Sequence, residues 1–424
     1  MAIVNVQHPM TASVSLASMK LLACVKEPPI ETVSLEDAGA RVLANDFESI
    51  VSLPPFRRAA MDGYAVRAEA LQGASRERPV ELRIIDEVRA GHITQHEQAA
   101  ASTLQLNDAV RIFTGAPVPD GYDTVVIQET AIPLEARNGY RRIRLDRPCT
   151  LGQHIAEKGE DVPQGMKLLY RGTELKAKEV AILASVGQWE IEVYERPKVA
   201  VLPIGDELIA PGRELSGGQI YESNSYMIGA RLKELGASVI RYPVVPDCLE
   251  QIEAAIQECL AKADMVVTTG GVSVGDYDYV KEAAERIGAE AIFTKTIMRP
   301  GTPTSAFRRS NQLIICLSGN PSACFAGLEL LLKPVVLKAT GKTEYRSTWL
   351  DGRLMDSILK PCPYPRYIRA FVYRSEKEWM VEPLTNDKSG NVAAFAKANA
   401  LALIPPGGTG AIIGQEVQWV SLTI

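Results

Sequence analysis

Between residues 196 and 338, short apolar runs alternate with amphipathic ones, and this leaves few folds open. "KVAVLP", "SVIRYPVV", "DMVVTTG", "AIFTKTI" and "QLIICLSG" read as strands, rich in branched residues and bounded by turn residues. The intervening stretches have helical spacing. "LEQIEAAIQECLAKA" puts Leu249, Ile252, Ile256, Cys259 and Leu260 on one face, and the next helix aligns Val280, Ala283, Ala284 and Ile287. "YMIGARLKELG" and "PSACFAGLELLLKPVVLK" complete the set. Strand and helix alternating at this spacing predict a mostly parallel sheet covered on both faces.

The chain has 424 residues, too many for one ordinary core. Residues 50–149 carry short β-like runs ("ELRIIDEV", "AVRIFTG", "DTVVIQE", "YRRIRL") between Gly, Pro and Asp turns, which predicts an inserted β-rich domain. It interrupts a helical connecting region, residues 20–49 and 150–192. There "VSLEDAGARVLANDF" predicts a helix with Ser34 as N-cap and Asp37 three residues on, and "ELKAKEVAILASVG" predicts another. The α/β domain then spans 193–338, and a C-terminal β domain spans 339–424. Residues 1–20, rich in Ser, Ala and Thr, predict partial disorder. The expected fold class is therefore multidomain α/β.

A formal net charge of −5 argues against a nucleic-acid partner, which asks for a basic face or stripe. Seven scattered cysteines without a C-x-x-C pair fit reduced thiols and a cytoplasmic setting. His92 and His96 have helical spacing, but a solvated loop is the better reading of that stretch. No apolar run is long enough for a membrane span, and the start lacks a signal-peptide pattern.

In an open α/β sheet, ligands bind outside the carboxyl ends of the strands. That rule selects "PIGDEL" with Glu207, "VVPDC" with Asp247, "TTGGVSVGDYD", "MRPGTP" and "LSGNPSA" with Pro321. In the third loop Gly270, Gly271, Ser273 and Gly275 suit an anion, because glycines let backbone N–H groups close on it. Yet that loop also carries Asp276 and Asp278, one of which must cap the next helix. Asp247 reads equally as a ligand or as the N-cap of a capping box with Glu250. Lys295 and Arg299 share a face and supply positive charge; Pro300 favours an extended Arg299. Carboxylates and an anion coexist where a hard cation bridges them, and Mg²⁺ uses one or two carboxylates plus ligand phosphates. The acids thus point to metal-assisted phosphoryl chemistry.

"PPFRRAAMDGYAV", "IFTGAPVPDGYDTVVIQE", "GEDVPQG", "GDEL", "GQIYESN", "TTGGVSVGDYDYVK", "RPGTP" and "SGNPSACF" occur in one order. In these motifs the chain resembles the molybdopterin molybdotransferases, the family of MoeA and the gephyrin E domain, over nearly everything after about residue 20. The resemblance implies a molybdopterin-binding-type α/β domain and a reaction on adenylylated molybdopterin. Molybdate is consumed, AMP is released and Mg²⁺ assists. It implies catalytic roles for Asp62, Glu207, Asp247, Asp278, Lys295 and Arg299, with Asp247 and Asp278 at the metal. Thr114, Asp161, Gly270, Gly271, Ser273, Gly275, Pro321, Arg369 and Ser389 would contact substrate. It implies a homodimer with sites shared between subunits. An adenylyltransferase, recipient molybdoenzymes and their chaperones are the further partners it suggests.

Read without the resemblance, "MDGY" and "TGAPVPDG" are rigid turns. The chain departs from the family pattern at Arg299, Thr302, Ser318 and Cys248, which bears on anion geometry and on molybdate against tungstate. Two alternatives stand beside the transferase. One is a molybdopterin adenylyltransferase, usually a single domain; the other is an interaction scaffold of the same fold.

Overall fold

The computed structural model describes residues 10–93, 104–271, 279–384 and 390–423. The chain divides into two compact units, Met1–Asn45 with Arg171–Lys176 and Ile191–Ile424, and Asp46–Tyr170 with Ala177–Glu190.

The first unit contains the predicted α/β sheet. Its strand order is Ser238–Arg241, Lys198–Pro203, Met265–Thr269, Gln312–Leu317, Ser305–Arg309, Glu290–Phe293. The first four run parallel, Ser305–Arg309 runs against them, and Glu290–Phe293 pairs antiparallel with Ser305–Arg309. Alternate residues explain why the strands read as continuous apolar runs. Val199, Val201, Leu313 and Ile315 enter one core with Ile228 and Leu331. Ala200, Leu202, Ile314 and Cys316 enter another with Ile252, Ile256 and Ala284. Helices therefore cover both faces, as strands without a polar side require.

A closed barrel of five strands, Trp349–Leu354, Trp379–Pro383, Arg366–Arg374, Ala400–Ile404 and Glu416–Ser421, belongs to the same unit. Its core holds Leu354, Ile368, Val372 and Val381, with Trp379 and Trp419 meeting edge to face at 5.2 Å. The second unit is built on a six-stranded sheet, Thr124–Ile127, Gly63–Val66, Asp108–Ile112, Val80–Val88, Tyr140–Leu145, Ile132–Arg137. It too buries both faces, Leu82 and Ile143 on one and Val110 and Ile112 on the other. No helix among the described residues is long and apolar enough to cross a membrane.

Two local expectations are corrected, and a third, the helix over "ELKAKEVAILASVG", is met. Residues 11–24 are ordered: Thr11–Ser13 pairs with Lys295–Ile297, and Ser13 caps the helix Val14–Cys24 by accepting the Leu16 N–H at 3.2 Å. Burial of Ala17, Leu21 and Leu22 holds that helix. The helix expected over "VSLEDAGARVLANDF" stops after one 3₁₀ turn, Leu35–Asp37. Ser34 does cap it, but Ala40 takes a positive φ of 58°, and Val42, Leu43 and Ala44 are all buried, the first two in β-bridges. Three consecutive buried residues suit a bridge between segments, and Val42 and Leu43 bridge to Glu174 and Val193. Along residues 150–192 the helix Ala177–Ser185 stands among short strands.

One polar cluster is deeply buried. Arg231, on the helix Asn224–Glu234, donates to both Glu329 oxygens at 2.7 and 3.0 Å and to Glu234 at 2.8 Å. Lys333 lies 3.5 Å from Glu329, and burial lowers its pKa. Glu329→Ala would strand two buried cations, and we expect a loss of about 3–5 kcal/mol. Urea unfolding of Glu329→Ala and of an Arg231→Met/Glu329→Leu pair checks this. The double variant should recover part of the loss, because Lys333 still loses Glu329, and adding Lys333→Met should recover most of the rest; equal instability of all the variants would assign the effect to packing.

Candidate active site

Four loops leave the carboxyl ends of the parallel strands, and the backbone draws them together. After Lys198–Pro203, the Gly205 N–H donates to the Val245 carbonyl at 3.0 Å. The adjoining carboxylates then interlock. Asp206 N–H donates to Asp247 Oδ2 at 3.4 Å, and Asp247 N–H donates to Asp206 Oδ1 at 3.2 Å. Each acid thus orients the other, and both stay exposed to solvent.

Of the two readings of Asp247, the capping box does not form. The helix Leu249–Leu260 starts from Cys248 without a side-chain cap, and Glu250 interacts with Cys248 Sγ at 3.4 Å instead. A tertiary partner, Asp206, competes successfully for Asp247. The sequence reading had singled out Glu207 in this loop and passed over Asp206. Glu207 is exposed, and its carboxylate folds back over Gly205. The missed signal was the adjacent acid of "GDEL", one residue nearer the strand end.

Gly270 and Gly271 follow the strand Met265–Thr269 with φ of +89° and +65°. A Cβ on Gly270 would lie 2.0 Å from the Ile204 carbonyl oxygen, and one on Gly271 2.8 Å from Val280 Cγ2. Only glycine permits this approach. Ser273, Gly275, Asp276 and Asp278 lie outside the described residues. Asn224 ties the glycine strand to the last loop, its Nδ2 donating to Thr269 Oγ1 at 2.9 Å and to the Gly319 carbonyl at 2.8 Å. Asn320 caps the helix Pro321–Gly327, with Pro321 in the first turn.

The basic pair is extended, as Pro300 implied. Lys295 begins the strand Lys295–Ile297 and is exposed, without an ion-pair partner among the described residues. Arg299 accepts the Tyr367 N–H at 2.7 Å, and its guanidinium stands 5.9 Å over the Tyr364 ring. Among the described residues no ion pair or hydrogen bond joins either to Asp206 or Asp247. Arg369 is buried, donates to the Asn391 carbonyl at 2.6 Å and stacks 4.8 Å over Phe395. Phe395 and Pro321 line one cavity of about 470 Å³, and Arg369 packs against Phe395 without lining it. Ser389 lies outside the described residues.

Asp62, Thr114 and Asp161 belong to the second unit. Asp62 Oδ1 accepts the Thr114 N–H at 2.8 Å and its hydroxyl at 2.7 Å. The Thr114 backbone bond, then its hydroxyl bond, hold the Asp62 carboxyl below its ordinary pKa, and the Arg111 charge adds to this. "MDGY" and "FTGA" are therefore joined by a fixed, ionised carboxylate. Asp161 sits 4.0 Å from Arg58. His92 lies in a turn, where its N–H bonds the Arg89 carbonyl at 3.0 Å; His96 is outside the described residues.

Among the described residues no group of three or more His, Cys, Asp or Glu gathers as a metal cage. Asp206 and Asp247 still fit Mg²⁺, because two hard carboxylates completed by water and substrate oxygens satisfy its preference.

The strand-end loops of a mostly parallel sheet define an α/β protein with its candidate site at the carboxyl edge of the sheet. Residues 200–338 match a family model described as a probable molybdopterin binding domain. Residues 11–187 match the MoeA N-terminal region (domain I and II), and 351–422 the MoeA C-terminal region (domain IV). The match starts at residue 11, earlier than the motifs alone implied. Molybdopterin molybdenumtransferase of Bacillus subtilis is 37% identical over 393 residues, 93% of this chain and 90% of the relative. Its Staphylococcus aureus namesake is 36% identical over 390 residues, 92% and 90% respectively. The molybdopterin biosynthesis MoeA protein of Pyrococcus horikosii has a solved structure that superposes with a TM-score of 0.83. It is 29% identical, covering 97% of this chain and 99% of that one. The chain belongs to the MoeA family, whose curated relatives are transferase enzymes.

Proposed function

We propose that this protein inserts molybdenum from molybdate into adenylylated molybdopterin, cleaving the phosphoanhydride and releasing AMP. The observation that carries the reading is the interlocked Asp206–Asp247 pair beside the Gly270–Gly271 turn at the strand ends. Membership of a molybdenumtransferase family supports the metal transfer itself. Glycine backbone suits a phosphate oxygen. Asp206 and Asp247, with Asp278 from the same loop as the glycines, would hold Mg²⁺. When bound, that ion offsets anhydride charge and polarises a phosphoryl oxygen. Glu207 stands ready as a further acceptor at the same strand end, and Asp161 as a substrate contact. We further propose a cytoplasmic homodimer in which Asp62 and Thr114 of one subunit complete the partner's site. An adenylyltransferase would supply the substrate, and recipient molybdoenzymes or their chaperones would take the product.

The test is direct. Purified protein is incubated with adenylylated molybdopterin, Mg²⁺ and molybdate, while AMP and pterin-bound molybdenum are measured. AMP release coupled to metal insertion is expected; absence of both sinks the proposal.

Lys295 and Arg299 are expected to recognise molybdate, since a tetrahedral dianion is bound only through charge and hydrogen bonds. Lys295→Ala/Arg299→Ala should raise the molybdate concentration for half-maximal insertion about tenfold or more, while binding of the pterin nucleotide changes less. Normal molybdate saturation in the double variant would place the oxyanion elsewhere.

A further inference from the structure

Lys295 and Arg299 lie on one exposed face of an extended segment, and the alternate residues Thr296 and Met298 are fully buried. Four extended residues span about 13 Å, so the two basic groups start far apart. A nearer neighbour for Arg299 comes from the C-terminal barrel. The Arg299 N–H donates to the Pro365 carbonyl at 2.9 Å, and the Tyr367 N–H donates to the Arg299 carbonyl at 2.7 Å. These bonds make Arg299 and Arg366 partners in a parallel bridge. Bridged partners stand about 4.8 Å apart and project to the same side.

The stretch 360–366 holds both side chains. Arg299 stacks 5.9 Å over the Tyr364 ring, and Arg366 Nη2 donates to the Lys360 carbonyl at 3.0 Å. That stretch is itself tied down, since Cys362 and Gly407 exchange backbone bonds at 3.2 and 3.0 Å.

Two ordered guanidinium groups side by side repel each other unless an anion stands with them. Among the described residues neither Arg299 nor Arg366 forms an ion pair, whereas Arg353 of the same barrel pairs with Glu378 at 2.8 Å. Donors also remain. The Arg299 guanidinium makes no hydrogen bond among the described residues, and Arg366 keeps all but one of its N–H groups.

We propose that Arg299 and Arg366 form a two-guanidinium clamp for one tetrahedral oxyanion, with Arg366 a specificity-determining residue that no motif singled out. Planar forks grip an anion through paired N–H bonds, where a lysine acts only as a point charge. Lys295, farther along the strand, adds field rather than grip. The inference rests on the reading of molybdate as a substrate. Molybdate and a nucleotide phosphate share this chemistry, so the experiment separates them.

Molybdate and AMP are each equilibrated by dialysis with the full-length protein, without turnover. The variants are Arg366→Gln, Arg366→Lys and Lys295→Ala, each first checked for an unchanged melting midpoint. Arg366→Lys keeps the charge and loses the fork, so it suffices if Arg366→Gln is destabilised. Molybdate affinity is expected to fall about tenfold or more in the Arg366 variants, the scale of a lost charge-assisted hydrogen bond. It should fall less in Lys295→Ala, and AMP binding should be unaffected. If the Arg366 variants weaken AMP instead of molybdate, the clamp stands with a phosphoryl group as its anion. If the wild type binds neither anion, or the Arg366 variants bind both as the wild type does, the inference is overturned. A larger loss in Lys295→Ala than in the Arg366 variants also overturns it. AMP release by the wild type is measured separately: release with molybdate saturation indifferent to Arg366 defeats only this inference. Arg366-dependent molybdate binding without AMP release defeats only the proposed reaction.

Discussion

Asp206→Asn and Asp247→Asn should each raise the Mg²⁺ concentration for half-maximal AMP release by about ten- to a hundredfold, the scale at which carboxylates around a metal act. Asparagine keeps an oxygen that can accept the partner's backbone N–H, so the reciprocal bonds at 3.4 and 3.2 Å survive. Only the charge is removed. Both residues are exposed, so the melting midpoint should hold steady. A purely structural pair would leave the Mg²⁺ titration alone, since its reciprocal bonds survive the substitution. Unchanged Mg²⁺ dependence in both variants would reduce the pair to a loop clasp. Equal effects in the two would confirm that Asp206, which the motif reading passed over, belongs with Asp247.

The oversight has a physical cause. Within "VVPDCLE" the local signal is a helix start, and nothing nearby in the sequence competes with it. The competitor, Asp206, stands 41 positions away and becomes a neighbour only when Gly205 bonds to Val245. The broken strand "AIFTKTI" teaches the same lesson. Glu290–Phe293 pairs with Ser305–Arg309, whereas Lys295–Ile297 pairs with Thr11–Ser13, far away at the N-terminus. Residues whose roles depend on one turn of backbone were legible: the Ser34 cap, and the glycines that only a close approach to Ile204 explains. The parallel sheet was legible too, because burial on both faces leaves a continuous apolar run that no other element produces at that spacing. The cavity was not. Its walls come from residues 223 to 422, none unusual in its own segment.

Mixing two inactive proteins, Asp62→Ala and Asp247→Ala, should restore activity that neither has alone. The expectation follows from the homodimer proposed above. Asp247 lies at the strand ends of the first unit, and Asp62 is fixed by Thr114 in the second. If each site of a homodimer takes Asp247 from one chain and Asp62 from the other, a mixed dimer carries both lesions in one site and neither in its twin. Random exchange makes half of the dimers mixed, so about a quarter of all sites become intact. The measurement is AMP release against mixing time, with exchange followed independently by native mass spectrometry of a tagged subunit. Activity should rise in step with the mixed species and settle near a quarter of the wild-type level. Should the subunits exchange while activity stays at the level of the separate proteins, both residues act within one chain. Asp62 would then serve its own subunit's site, and the shared-site arrangement would have to be abandoned.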